Sequence, residues 1–320
     1  VNAKIAWIFP GQGAQEVGMG RAVFEASAAA RDVFERADRS LGFSLSTLCF
    51  EGPVEELTLT ANTQPALLVT STAILAALRE AVPELPLPAF AAGHSLGEYS
   101  ALVAAGALTL EDAARLVRLR GTAMQEAVPA GQGAMAAIMG LSADELRAVC
   151  VEAAEGEAVG PANWNGPGQV VIAGHAGAVA RASALATARK GKAIALKVSA
   201  PFHSALMAPA ARRMEQALCE VNISPLVFPV IANIDGEPNS DPAGVRTRLV
   251  RQVDGAVEWQ RTVERLVAEG VTLALELGPG KVLAGLVKRI DKSLRVINVS
   301  DPAGFEAARA AVLGSEAANV

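Results

Sequence analysis

The stretch Phe90-Ala91-Ala92-Gly93-His94-Ser95-Leu96-Gly97-Glu98-Tyr99 constrains this chain more than any other. A short apolar run enters a Gly-x-Ser-x-Gly turn, and a helical pattern leaves it over residues 99–105. The two glycines are expected to let the backbone turn sharply and the helix start close to the strand. Such a turn lifts Ser95 to the top of a sheet. It also aims the N–H of Leu96 and a helix N-terminus at anything bound to that serine. The same residues suit a plain serine N-cap between strand and helix. The rest of the chain decides between nucleophile and cap.

A strand–turn–helix of this kind needs a sheet to sit on. Residues 5–9, Ile-Ala-Trp-Ile-Phe, form a continuous apolar run of strand length, the pattern of a strand buried on both faces. The run ends in the Gly-rich loop Pro10-Gly11-Gln12-Gly13-Ala14-Gln15. Helical patterns follow over 21–41, 54–57 and 66–80. After the serine turn, Thr109 opens a helix with Glu111 and Asp112 in its first turn, running to about residue 127. Arg115 and Arg118 read as its solvated face, and Arg120, taken alone, as one more surface arginine.

Past the hinge Pro129-Ala130-Gly131-Gln132-Gly133 the pattern changes. Strands over 134–140, 159–165, 169–175 and 193–199 alternate with helices over 142–155 and 177–190. The order β-α-β-β-α-β is that of a split βαβ, ferredoxin-like unit. Ser142 with Glu145 makes a capping box at its first helix. Beyond it come helix 205–221, strand 227–232, helices 246–253 and 259–269, strand 273–277, and a final basic helix over 282–290. The tail after Gly314 is expected to fray. The expected fold is α/β: a large α/β-hydrolase-like domain with a mostly parallel sheet (1–129 and 200–320), plus an inserted small ferredoxin-like α+β domain (130–199).

Composition removes several function classes. A net charge of −5 gives no global case for nucleic acid. No apolar stretch reaches the roughly 18–20 residues of a transmembrane helix, and the N-terminal run lacks a signal-peptide pattern. Cys49, Cys150 and Cys219 stand apart with no C-x-x-C spacing, which points to reduced thiols and a cytoplasmic location. Neither Gly-rich loop carries a Gly-Lys-Ser/Thr ending, so a phosphate cradle is not expected. No two histidines lie at metal-ligand spacing, so no metal is expected.

A serine nucleophile needs a base within hydrogen-bond reach, and the chain has only three histidines. His94 adjoins Ser95, but neighbours on a sharp bend point apart. His175 ends a strand of the small domain and reads as ordinary surface. His203 follows Pro201-Phe202 at the junction of the two domains, where clefts form, and is the best-placed base.

Phe9-Pro10-Gly11-Gln12-Gly13-Ala14-Gln15, Gly93-His94-Ser95-Leu96-Gly97-Glu98, Arg120-Gly121, Pro201-Phe202-His203-Ser204 and Leu277-Gly278-Pro279-Gly280 occur in this order. Together they resemble the signatures of the malonyl-CoA:acyl carrier protein transacylases of type II fatty acid synthesis. The acyltransferase domains of polyketide synthases are close relatives. The resemblance spans about residue 4 to about residue 300.

The resemblance implies a role for each motif. Ser95 would attack a malonyl thioester while His203 takes its proton, with the N–H groups of Gln12 and Leu96 as oxyanion hole. Arg120 would bind the free malonyl carboxylate, which overturns its reading as a surface residue. The carbonyl of Gln252 would orient His203, so that none of Asp235, Asp241 and Asp254 serves as orienter. Gln252, Asn163 and Phe202 are assigned to the substrate site, with Gln169 a further pocket candidate. Phe202 would narrow the pocket against a methylmalonyl group. The implied substrates are malonyl-CoA and the phosphopantetheine thiol of an acidic acyl carrier protein, with no bound cofactor and a monomeric enzyme. Arg189, Lys190, Lys192, Lys281, Lys288, Arg289 and Lys292 are candidate docking cations. The alternatives are a hydrolase of acyl-carrier-protein thioesters, a stand-alone polyketide acyltransferase, and a non-catalytic docking protein of the same fold.

Overall fold

The computed structural model describes residues 4–314. Among these residues ten strands form two sheets: β1 (Ile5–Phe9), β2 (Phe90–Gly93), β3 (Gly133–Met139), β4 (Val159–Gly166), β5 (Gln169–His175), β6 (Lys192–Ala195), β7 (Val230–Ile231), β8 (Pro238–Asn239), β9 (Leu273–Leu277) and β10 (Arg295–Val299). The larger sheet runs β10-β9-β1-β2-β7-β8. It is parallel except for β8, which pairs antiparallel with β7.

The unbroken apolar run of β1 is explained by its position. Trp7 and Phe9 point into the larger core cluster, while Ala6 and Ile8 point into a second cluster on the other face. Helices Thr60–Ala81, Leu110–Glu126 and Ala208–Glu220 supply the first cluster, and helices Trp259–Ala268 and Val282–Ile290 the second. Full burial of each large side chain here contributes about 1.5–3 kcal/mol.

The smaller sheet has the order β4-β5-β3-β6, with every pair antiparallel. Helices Ala143–Ala154 and Ala176–Ala188 cover one face of it through Ile138, Val170, Ile172, Leu146 and Val179. This is the split βαβ arrangement read from the sequence, and both halves of the Ser142–Glu145 capping box are made. The alternate residues, Met135 and Val171, face the other way, into a cavity against the large sheet. Trp164 N–H donates to the Val257 carbonyl (2.8 Å) and Val257 N–H to the Ala162 carbonyl (2.9 Å), which ties β4 to the larger unit.

Several elements differ from expectation. Segment 21–41 is two helices, Arg21–Ala26 and Ala28–Leu41, because Ser27 is extended and its Oγ caps the second by accepting from Ala30 N–H. The helix expected over 66–80 starts six residues earlier, at Thr60, and carries Pro65 inside it. Proline has no N–H for the carbonyl four residues back. Arg118 Nη1 donates to that carbonyl, of Ala61, at 2.8 Å. Arg118 is therefore half-buried and tied to another helix rather than part of a solvated face.

Only Val230–Ile231 of 227–232 joins the ladder, and the unforeseen two-residue β8 pairs with it. The strand expected over 193–199 stops at Ala195, after which the chain turns along the cavity. Helix 282–290 is not the last element. Edge strand β10 and helix Ala303–Leu313 follow, and β10 was hidden because only Val299 of its residues is buried. The tail expected to fray lies outside the described residues. No helix among the described residues is long and apolar enough to cross a membrane.

Candidate active site

The turn after β2 is fixed by close packing. A Cβ on Gly93 would lie 1.9 Å from the Gly97 carbonyl carbon, and one on Gly97 would lie 2.1 Å from the Phe9 oxygen. The glycines are thus needed for approach, and the strained torsion falls on Ser95 itself, at φ 52°. A non-glycine residue held there costs of order 1–3 kcal/mol. The surroundings hold it. Ser95 N–H donates to Asn233 Oδ1 (2.6 Å), and the Ser95 carbonyl accepts from Gln252 Nε2 (2.9 Å). Helix Gly97–Ala104 leaves directly from this turn.

Ser95 Oγ lies 2.7 Å from His203 Nε2. His203 Nδ1 lies 2.8 Å from the Gln252 backbone oxygen. A carbonyl can only accept, so Nδ1 carries the proton and Nε2 is a bare acceptor aimed at the serine hydroxyl. His203 is buried and itself sits at φ 56°. Burial, and next the Arg120 cation, push its pKa down from the usual imidazole value to about 3. None of the three aspartates orients it. Asp235 pairs with Arg248 (2.9 Å), Asp241 caps helix Pro242–Asp254, and Asp254 ends that helix.

Arg120 is fully buried. Its Nη1 donates to Gln64 Oε1 (2.9 Å), and its Nη2 to Gln252 Oε1 (2.8 Å) and Ser95 Oγ (3.1 Å). Its Nε has no hydrogen-bond partner among the described residues, and no carboxylate bonds to the guanidinium. A buried cation with only neutral partners is costly and favours an anion arriving beside Ser95. Gln64 also donates from Nε2 to Gln12 Oε1 at 3.2 Å, so it links Arg120 to the loop after β1. Gln12 Nε2 in turn donates to Thr60 Oγ1 at 3.4 Å. Among the hydrogen bonds of the described residues, none uses the backbone N–H of Gln12 or Leu96 as donor.

A cavity of about 560 Å³ lies between the two sheets. Gln12, Ser95, His203, Asn163, Phe202 and Gln169 line it, together with His94 and Lys197. Arg120 and Gln252 do not line it; they stand behind Ser95. Gln252, expected among the substrate contacts, has both side-chain polar atoms engaged internally. His94 points away from Ser95, its Nε2 2.8 Å from Asn165 Oδ1 on β4. His175 accepts from Ala158 N–H through Nδ1 (2.9 Å), a structural bond rather than free surface. The three cysteines are free thiols, with Cys49 and Cys150 buried and Cys219 exposed. Of the docking candidates, Arg189 pairs with Glu152 and Arg289 donates to Gln169 Oε1, while the five lysines are exposed and make no ion pair among the described residues.

Sequence reasoning missed Gln64, Glu98, Asn233 and Lys197 as parts of this site. Glu98 is buried, and burial pushes its carboxyl up to about 7. Its place directly after the Gly-x-Ser-x-Gly turn, charged at the start of an otherwise apolar helix, was the available signal.

The acyl transferase domain family matches residues 6–315 of the chain. The malonyl CoA-acyl carrier protein transacylase of Bacillus subtilis is 49% identical over 308 residues, covering 96% of each protein. A crystal structure of an acyl carrier protein S-malonyltransferase from Vibrio cholerae superposes with a TM-score of 0.93 at 46% identity, covering 96% of this chain and 100% of that one. A chain from the structure of a type II polyketide synthase acyl-carrier protein in complex with its malonyl-transacylase matches with a TM-score of 0.92 at 43% identity, over 98% of this chain and 100% of that one. With similarity along nearly its whole length, the chain belongs to the acyl transferase domain family, among the malonyl-CoA:acyl carrier protein transacylases.

Proposed function

We propose that the chain transfers the malonyl group of malonyl-CoA to the phosphopantetheine thiol of an acyl carrier protein, through a malonyl ester on Ser95. The single observation that carries this reading is the convergence on Ser95 Oγ of a bare imidazole nitrogen and a buried guanidinium. The first suits a nucleophile, and the second suits an acyl group with a carboxylate at its far end.

His203 Nε2 takes the Ser95 proton as Oγ attacks the thioester carbonyl carbon. The tetrahedral oxyanion is held by the N–H groups of Gln12 and Leu96; losing one such donor typically costs roughly 10²–10³ in rate. The C–S bond breaks, and the imidazolium returns its proton to the departing CoA sulfur. The carrier's thiol then attacks the ester, gives its proton to His203, and Ser95 leaves with that proton restored. Arg120 binds the malonyl carboxylate throughout, as a planar fork suited to two-point pairing. Phe202 narrows the cavity beside the acyl α-carbon, and Asn163 lines it from the small domain, taken as 130–199 against 1–129 and 200–320. All these parts are backbone and side chains of one chain, which we take to act as a cytoplasmic monomer without a bound cofactor. The exposed lysines at 190, 192, 281, 288 and 292 are the cations offered to an acidic carrier.

Two outcomes are expected. With malonyl-CoA and carrier protein both varied, initial rates give parallel double-reciprocal lines, and label ends on the carrier thiol. Intersecting lines, or free malonate as the main product, would favour the thioester hydrolase or a ternary mechanism instead. The second concerns pH. A base with a depressed pKa stays neutral, and therefore competent, as pH falls, and is lost only when pH nears that lower value. With His203 held near 3, kcat/KM for malonyl-CoA is expected to show no acidic limb between about pH 7 and 5. A limb centred near the ordinary imidazole pKa of about 6.5 would contradict the assigned environment.

A further inference from the structure

The bonds that hold the nucleophile's backbone converge on one carboxylate oxygen. Asn233 accepts from Ser95 N–H, and Gln252 donates to the Ser95 carbonyl, so these two side chains fix both polar groups of the strained residue. Both side chains are fully buried. Neither is left to choose its own orientation. Glu98 Oε2 accepts the Asn233 backbone N–H at 2.9 Å and Gln252 Nε2–H at 2.8 Å. Asn233 is braced further by donating from Nδ2 to the Gly93 carbonyl (2.6 Å). Gln252 passes the constraint on: its Oε1 accepts from Arg120 Nη2, and its backbone oxygen accepts from His203 Nδ1. The Glu98 carboxylate itself forms no hydrogen bond to Ser95, His203 or Arg120, and it does not line the cavity.

We propose that Glu98 is a positioning residue for acyl transfer: its Oε2 is the shared anchor that sets Asn233 and Gln252, and through them the Ser95 backbone, the His203 ring and the Arg120 guanidinium. The proposal rests on Ser95 being the acyl-accepting nucleophile. What Glu98 supplies is an acceptor oxygen at a given reach, rather than a charge. Burial pushes its carboxyl up to about 7, and Oε2 remains an acceptor whether or not Oε1 carries the proton. Oε1 makes no hydrogen bond among the described residues, so an amide at this position breaks none on that side.

The test compares Glu98→Gln, Glu98→Asp and Glu98→Ala with wild type, with kcat and KM for malonyl-CoA measured per folded molecule and a thermal melt alongside. Asp keeps the charge but falls one methylene short of both donors; Gln keeps the reach and loses the charge. Ala and Asp are expected to lower kcat about 100-fold, the loss typical of a roughly 1 Å misplacement of catalytic groups, while KM changes less than about threefold. Gln is expected to recover kcat to within about threefold of wild type. If Ala does not fold, the Asp and Gln comparison carries the test. Wild-type kcat in Asp with Gln impaired would overturn the proposal in favour of a counter-charge to Arg120. A lowered melting temperature with unchanged kcat in Ala or Asp would overturn it in favour of a purely structural carboxylate. Wild-type enzyme that forms no malonyl ester would instead remove the functional reading on which the proposal stands. A wild-type ester with kinetically silent variants would sink this proposal alone.

Discussion

Ser95→Ala is expected to lower malonyl transfer by about 10⁴–10⁶-fold, and His203→Ala by a comparable factor. The reason lies in the shared proton. Without Oγ there is no atom to accept the acyl group. Without Nε2, the hydroxyl at 2.7 Å has no base to take its proton. The two residues act as a unit, so the double variant is expected to be no slower than the slower single one. Additive losses would mean that His203 serves a step in which Ser95 takes no part. Single-turnover measurements with labelled malonyl-CoA resolve these rates. A Ser95→Ala enzyme retaining more than about a hundredth of wild-type transfer would exclude the serine as nucleophile.

Arg120→Ala is expected to lower kcat/KM for malonyl-CoA by about 10²–10³-fold, the cost of leaving a buried charge without its partner. Acetyl-CoA, which has no second carboxylate, is expected to lose far less. The acetyl rate also serves as the control for collapse of the site, because Arg120 bonds to Ser95 Oγ, Gln64 and Gln252 in the free enzyme. A distorted turn would slow both substrates alike. Equal losses on malonyl and acetyl groups would therefore remove the carboxylate-binding role.

What was legible in the sequence follows from how each feature is encoded. The serine turn, the β1 strand and the β-α-β-β-α-β unit are local patterns, written in apolar runs, glycines and caps. The pairing of Ser95 with His203 crosses 108 residues, and it was reachable because only three histidines had to be considered. Arg120 was not readable from its own helix. Its burial depends on Gln64 and Gln252 from two other helices, which periodicity does not reveal. The same limit hid Glu98, whose partners Asn233 and Gln252 lie 135 and 154 residues away. The helix through Pro65 ran on for a likewise non-local reason, the bond from Arg118, 57 residues away, to the carbonyl the proline leaves open. Two-residue strands such as β8 are made by their neighbour rather than by their own composition.

The most direct test of the central claim is the intermediate itself. Wild-type enzyme is mixed with malonyl-CoA alone, quenched in acid, digested and analysed by mass spectrometry. A malonyl ester on the peptide carrying Ser95, absent from Ser95→Ala and discharged onto the carrier thiol when acyl carrier protein is added, is the expected result. A carrier that becomes malonylated at full rate while Ser95 stays unmodified, or an ester that only water removes, would contradict it.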